Sequence, residues 1–177
     1  EISDTRRNIA SRLVERPIYD CNLMDQRLDE CTKKKYDAVV MFQVLEHIQS
    51  PVQFLMNVKT AIKNTGLLII EVPNVDDHLL SFCSEYDSFY WQRAHLSYYN
   101  TSTLKKVIKR AGFSRVSICG VQRYSIENAM NWLIIGRPQI SKPSYTARED
   151  LQWLDDYYRE QLIGSLTCDT LIAVASI

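Results

Sequence analysis

Residues 36–74 read YDAVVMFQVLEHIQSPVQFLMNVKTAIKNTGLLIIEVPN, and this stretch decides the fold. Ala38-Val39-Val40-Met41-Phe42 and Leu67-Leu68-Ile69-Ile70 are apolar at every position. Such runs suit strands covered on both faces, as in a parallel sheet. Between them, Ser50-Pro51-Val52-Gln53 predicts a helix start. Ser50 is the cap, Pro51 sits where a missing N–H costs nothing, and Gln53 closes a capping box. Val52, Leu55, Met56, Lys59 and Ile62 share one helical stripe, with the Lys59 stem along its edge. Gly66 predicts the helix stop. The unit is strand, helix, strand with a right-handed crossover. Ligands of such sheets bind beyond the carboxyl ends of the strands. Those ends are Gln43-Val44-Leu45-Glu46-His47 and Pro73-Asn74.

Upstream, Ser3 or Asp4 predicts the cap of a helix to about Glu15, with Ile9, Leu13 and Val14 as its inner face. Pro17 ends it, and Ile18-Tyr19-Asp20-Cys21 forms a short strand. Residues 22–35 are polar and finish in Lys33-Lys34-Lys35, a solvated lead-in to the next strand.

Downstream, residues 75–100 form a connection long enough to suggest a functional loop. It carries Tyr86, Phe89, Tyr90, Trp91 and Tyr98 together with His78 and His95. With His47, all three histidines of the chain fall on the one edge where a ligand belongs. A lid over a ligand and a segment packing its own small core both account for the aromatics. Asn100 or Thr101 then caps a helix with Leu104, Val107, Ile108 and Ala111 at helical spacing, ended by Gly112. Its Lys105, Lys106, Lys109 and Arg110 favour the helix dipole and a solvated face. Arg115 to Val121 alternates as a half-buried strand, with Val116 and Ile118 on one face. Residues 122–166 are an insertion with helices over 125–133 and 148–163. Its Trp132, Trp153, Tyr157 and Tyr158 suit core packing better than a substrate cover or a homodimer contact. Thr170 to Ile177 is the closing strand.

At 177 residues the chain suits a single domain spanning 1–177. Hydrophobic residues make up 46% and charged residues 24%, the profile of a globular protein. Twenty-one basic residues balance 21 acidic ones, which argues against a nucleic-acid partner. No apolar run approaches a membrane span. Five cysteines without a CxxC pair fit a reducing, cytoplasmic setting. No pair of ligand residues has a zinc spacing, so no metal is expected.

The phrase FQVLEHI after the YDAVVM strand, followed by a helix and IIEVPN, resembles the class I S-adenosylmethionine-dependent methyltransferases. It is similar to their fourth strand, next helix and fifth strand, in the branch with a VLEH turn. WQRAHLSYY before a capped helix resembles a second phrase of that family. The resemblance implies an α/β, Rossmann-like sheet, mostly parallel, closed by an antiparallel hairpin of the last two strands. It implies S-adenosylmethionine as cofactor, S-adenosylhomocysteine as product and a small-molecule methyl acceptor, with a sugar or polysaccharide intermediate as the acceptor class.

By the same resemblance, Glu1 with its neighbour Ile2 takes the place of the acid at the end of the second strand. That acid grips both ribose hydroxyls, because a carboxylate accepts two hydrogen bonds at once. Asn22 and Leu23 take the place of the adenine-contacting pair, with Asp20 and Asp25 as alternatives and ordinary turn residues as the plain reading. Phe42 and Gln43 lie at the strand end nearest the cofactor. The first strand and Gly-rich loop of the family have no counterpart here, since the chain holds only 5 glycines and no GxGxxG. The expectation is an N-terminally incomplete fold, with a cofactor-free, degenerate relative as the rival.

Methyl transfer is an in-line displacement that needs aligned groups, excluded water and a base for the acceptor's proton. His95 is the first candidate base and His47 the second, since histidine titrates in the useful range. Tyr98 is a candidate orienting group. The competing class of function is a catalytically silent domain kept for protein binding.

Overall fold

A computed structural model describes residues 4–15, 18, 35–139 and 145–177. Helix α1 (Asp4–Val14) is followed by strand β1 (Tyr36–Phe42), helix α2 (Pro51–Thr60) and strand β2 (Ile62–Pro73). Helices α3 (Ser84–Tyr90) and α4 (Thr101–Arg110) lead to strand β3 (Arg115–Val121). Helices α5 (Ile126–Ile135) and α6 (Gln152–Ser165) precede the closing strand β4 (Thr170–Ser176). Among the described residues no helix is long and apolar enough to cross a membrane.

The described sheet runs in the order β1-β2-β4-β3. The β1–β2 pair is parallel, while β2–β4 and β3–β4 are antiparallel. The expected closing hairpin is therefore present. The expectation of a mostly parallel sheet is corrected: β4 inserts beside β2, so two of the three described pairings are antiparallel.

The pleat sorts each strand into two faces. Val39 and Met41 of β1 lie in register with Leu68 and Ile70 of β2, which lie beside Ala175 and Ala173 of β4. These residues meet Leu55 and Val58 of α2 and Leu104 and Ile108 of α4, with Phe113, in the main core. The opposite face carries Val40, Phe42 and Leu67, which are 48%, 57% and 41% exposed. The expectation that β1 is covered on both faces thus fails for the described residues, because α2 and α4 supply apolar cover to one face only.

The crossover also differs in detail. Helix α2 ends at Thr60, and the following strand already starts at Ile62. Gly66 is a strand residue. Its register slips where Tyr36 pairs Ile62 but Ala38 pairs Leu67, and a Cβ on Gly66 would stand 2.9 Å from the carbonyl oxygens of both Tyr36 and Asp37. Glycine is there for close backbone approach, not for a helix stop. Ser50 is the N-cap residue but makes no side-chain cap bond, and the Gln53 amide donates to Asn57 Oδ1 at 3.0 Å. The predicted capping box is absent because an i, i+4 partner takes its second member. The buried stripe of α2 is Phe54, Leu55 and Val58, with Met56 46% exposed. Lys59 behaves as predicted, its ammonium reaching the Gly112 carbonyl at 2.5 Å. Ile9, Leu13 and Val14 of α1 are exposed, not an inner face.

A second core lies outside the sheet. Leu79 and Cys83 of the 75–100 segment pack with Ala129 and Trp132 of α5, flanked by Tyr86 and Tyr158. The segment and the insertion are therefore one packed unit. Trp132 and Tyr158 join it, whereas Trp153 and Tyr157 face solvent at 70% and 59% exposure, against the expectation of core packing.

Candidate functional site

The chain leaves β1 through Gln43, which holds φ at 53°, a left-handed conformation uncommon for a side chain of its kind. Its backbone N–H still donates to the Glu71 carbonyl at 3.0 Å, and its side-chain amide donates to the Glu71 carboxylate at 2.9 Å. The reversal turns residues 45–47 into one 3-10 turn, with Leu45 fully buried in the main core as its anchor. The Glu46 carbonyl accepts from the N–H groups of Leu96 and Ser97 at 2.7 and 3.1 Å. Those two bonds lay the end of the lid segment on the β1 turn.

His47 and His95 meet there, with ring centroids 4.9 Å apart in an edge-to-face arrangement. His47 Nδ1 lies 2.8 Å from the Ala94 carbonyl. A carbonyl only accepts, so this bond assigns a proton to Nδ1, and in the neutral imidazole the lone pair is on Nε2. His95 Nδ1 is buried without a hydrogen-bond partner. Burial, and then the neighbouring His47, hold the His95 imidazole below the usual histidine range. The Glu46 side chain is 1% exposed, and neither carboxylate oxygen has a hydrogen-bond partner. Burial pushes this carboxyl above the ordinary glutamate range. One ligand atom from each of Glu46, His47 and His95 lies within 4.8 Å of the other two. Local sequence spacing could not reveal this trio, because its third member arrives from the far end of the lid.

Tyr98 lies against His95, rings 5.3 Å apart. Its hydroxyl accepts from the Gln92 N–H at 2.7 Å and donates to the Tyr90 carbonyl at 3.1 Å. It closes the loop that presents His95.

A cavity of about 250 Å³ opens beside this turn, lined by Gln43, Pro73, Tyr90, His95, Arg123 and Asp169 among others. A second of about 340 Å³ adjoins it, bounded by Asp77, Asn128, Trp132 and Tyr158. Tyr86, Phe89, Tyr124 and Asp169 line both, so the two are neighbours across a shared wall. Asp77 is buried, accepting from the Tyr86 hydroxyl at 2.7 Å and the Leu79 N–H at 3.0 Å. Asp169 accepts from the N–H groups of Arg123 and Tyr124 at 3.0 and 3.1 Å. Burial nevertheless raises its carboxyl, the bonds opposing that shift. Arg123 Nη1 reaches Glu71 at 3.4 Å, continuing the chain from Gln43 across the sheet edge.

Of the residues singled out from the sequence, Gln43 and His95 line one cavity wall, His47 touches His95, and Tyr98 supports it. Phe42 ends β1 on the exposed face. Glu1, Ile2, Asn22 and Leu23, with Asp20 and Asp25, lie outside the described residues. Glu71, Arg123 and Asp169 were missed. They sit at the ends of three strands, and only the order of the sheet brings them together.

A family model described as a methyltransferase domain matches residues 1–118. No curated protein sequence matches significantly. A methyltransferase structure from Archaeoglobus fulgidus is similar over 100% of this chain and 74% of its own, at 16% identity and a TM-score of 0.58. One from Thermotoga maritima, described as a possible histamine N-methyltransferase, is similar over 99% of this chain and 70% of its own, at 12% identity and a TM-score of 0.61. The methyltransferase CalH, solved with S-adenosylhomocysteine, is similar over 68% of this chain and 36% of its own, at 19% identity and a TM-score of 0.51.

Proposed function

This chain belongs to the methyltransferase-domain family, and from that premise we propose that it moves the methyl group of S-adenosylmethionine to a small-molecule acceptor held in the paired cavities under the lid. S-adenosylhomocysteine is the other product. The observation that carries this reading is the shared cavity wall of Gln43 and His95 at the carboxyl end of β1, the edge where such sheets bind ligands.

The residues present fit that cofactor in kind. Gln43 offers an amide beside the β1 turn, and Arg123 and Asp169 add charges of both signs to the same wall. Glu1 with Ile2, and Asn22 with Leu23, are proposed as the ribose and adenine contacts, with Phe42 beside them. The cofactor supplies an electrophilic sulfonium methyl. His95, whose imidazole burial shifts toward the neutral form, takes the acceptor's proton, with His47 as the second choice. Tyr98 orients His95 through the loop it closes. The aromatic walls exclude water from the reacting groups.

A sugar or polysaccharide intermediate suits the second cavity, which aromatic Phe89, Trp132 and Tyr158 and polar Asp77 and Asn128 line together. The free thiols of Cys83, Cys119 and Cys168 suit a reducing cytoplasm. The silent, protein-binding reading has no specific observation behind it.

Calorimetric titration of S-adenosylhomocysteine into the protein tests this reading. Micromolar binding is the expected result. Absence of binding overturns the reading.

A further inference from the structure

We infer that Glu46, His47 and His95 form a binding site for a divalent transition-metal ion beside the cavity that His95 lines. Three observations converge on it. Their ligand atoms already lie within 4.8 Å of one another, with Glu46 Oε1 and His47 Nε2 3.9 Å apart. An ion about 2.0–2.2 Å from each donor draws them closer than this by small side-chain rotations. Second, two of the three residues present buried donor atoms without a hydrogen-bond partner. The Glu46 carboxylate is 1% exposed with both oxygens unpartnered, and His95 Nδ1 is buried and unpartnered. A buried carboxylate without a partner is unfavourable, and a cation is the partner that offsets it. Third, His47 is prepared as a ligand. The Nδ1–H bond to the Ala94 carbonyl fixes the tautomer with Nε2 free, the outer support typical of metal-bound imidazoles.

Two imidazoles and one carboxylate favour zinc, cobalt or manganese over magnesium, which prefers oxygen donors. Three protein ligands leave a coordination position open. Of the three, His95 also lines the cavity. An ion there would hold an acceptor oxygen and favour loss of its proton, with His95 as a ligand in place of a base. This last consequence rests on the methyl-transfer reading, but the site itself does not.

The test uses metal-stripped protein and three readouts. Cobalt(II) is titrated first, since its visible spectrum separates nitrogen and oxygen donors from the thiolate that exposed Cys119 offers. The site predicts one equivalent bound without a thiolate charge-transfer band. Manganese(II) is then added at substoichiometric levels while the histidine ring resonances are followed. The signals of His47 and His95 should broaden ahead of His78, which bonds to Tyr158 in the second core. Finally, Glu46→Gln and His95→Asn should each weaken cobalt binding by roughly tenfold or more, the scale that loss of even an outer partner produces. The inference is overturned by a thiolate-bound ion only, by equal broadening of all three histidines, or by unchanged binding in both variants. The wild-type resonance experiment decides the matter should a variant fail to fold. S-adenosylhomocysteine binding is measured separately, so failure of the metal site and failure of the methyl-transfer reading are distinguishable.

Discussion

On the proposed reading in which His95 is the base, it is the residue on which methyl transfer turns. His95→Asn should lower kcat by roughly 10²–10⁴-fold, the usual contribution of a placed proton acceptor, while S-adenosylhomocysteine affinity stays within a few-fold of wild type. A parallel loss of cofactor affinity would count against its role. Burial lowers the pKa of this imidazole, so it stays neutral to lower pH than an ordinary histidine. The acid limb of the kcat/KM profile should therefore fall below about pH 6.5. The linkage has the same sign: the unfolded state binds the proton more readily, so this group's contribution to stability is full above that pH and declines as pH falls through the folded-state value. Tyr98→Phe tests the support of the loop. It removes one bond from the Gln92 N–H and one to the Tyr90 carbonyl, and should destabilise by about 1 kcal/mol in denaturant unfolding, with a larger fall in kcat than in stability alone explains.

At the scale of elements, two helix starts with similar letters behave differently. Asn100 accepts from the Thr103 N–H at 3.0 Å while the Thr103 hydroxyl accepts from the Asn100 N–H at 2.9 Å, a complete capping box. Asn100→Ala should cost about 1 kcal/mol, read from the unfolding midpoint. Ser50 and Gln53 carry the corresponding pattern without the bonds, because Asn57 competes for the Gln53 amide. Local pattern reveals an eligible cap, and neighbours decide whether it forms. Gly66 makes the same point. A glycine after a helical stripe reads as a stop, while its actual constraint is the pair of β1 carbonyls across the sheet. Gly66→Ala should destabilise by roughly 1–3 kcal/mol through displacement of β1, checked by denaturant unfolding. The four described strands, the closing hairpin and the meeting edge of His47 and His95 were legible because periodicity and position carry them, whereas His78 packs on Tyr158 in the second core and the strand expected over 18–21 lies almost wholly outside the described residues. The Glu71–Arg123–Asp169 group was not, because its members are distant in sequence and meet only through β4 lying between β2 and β3.

At the scale of the molecule, the described residues form two cores with different duties. The sheet core holds the scaffold, and the smaller one around Trp132 joins the lid segment to the insertion. Trp132 is 3% exposed, with Tyr86 and Phe89 rings each 5.1 Å away. Trp132→Ala should cost about 3–5 kcal/mol. Its signature is selective: acceptor affinity falls while the sheet's amide protection and cofactor binding persist. Equal loss of both would show a single cooperative core instead.

The stems of the lid are fastened to each other. Asn74 bridges Tyr99, the Val75 N–H donates to the Tyr99 carbonyl at 2.9 Å, and the Asn74 amide donates to the carbonyls of Leu166 and Cys168 at 2.9 and 2.8 Å. An excursion that leaves and rejoins the scaffold through one knot can be replaced without re-threading the sheet. Residues 76–98 are thus tied to the scaffold at one knot and to the insertion through the second core. Trading that segment therefore means trading the α5 face with it, while the strands beneath keep their register.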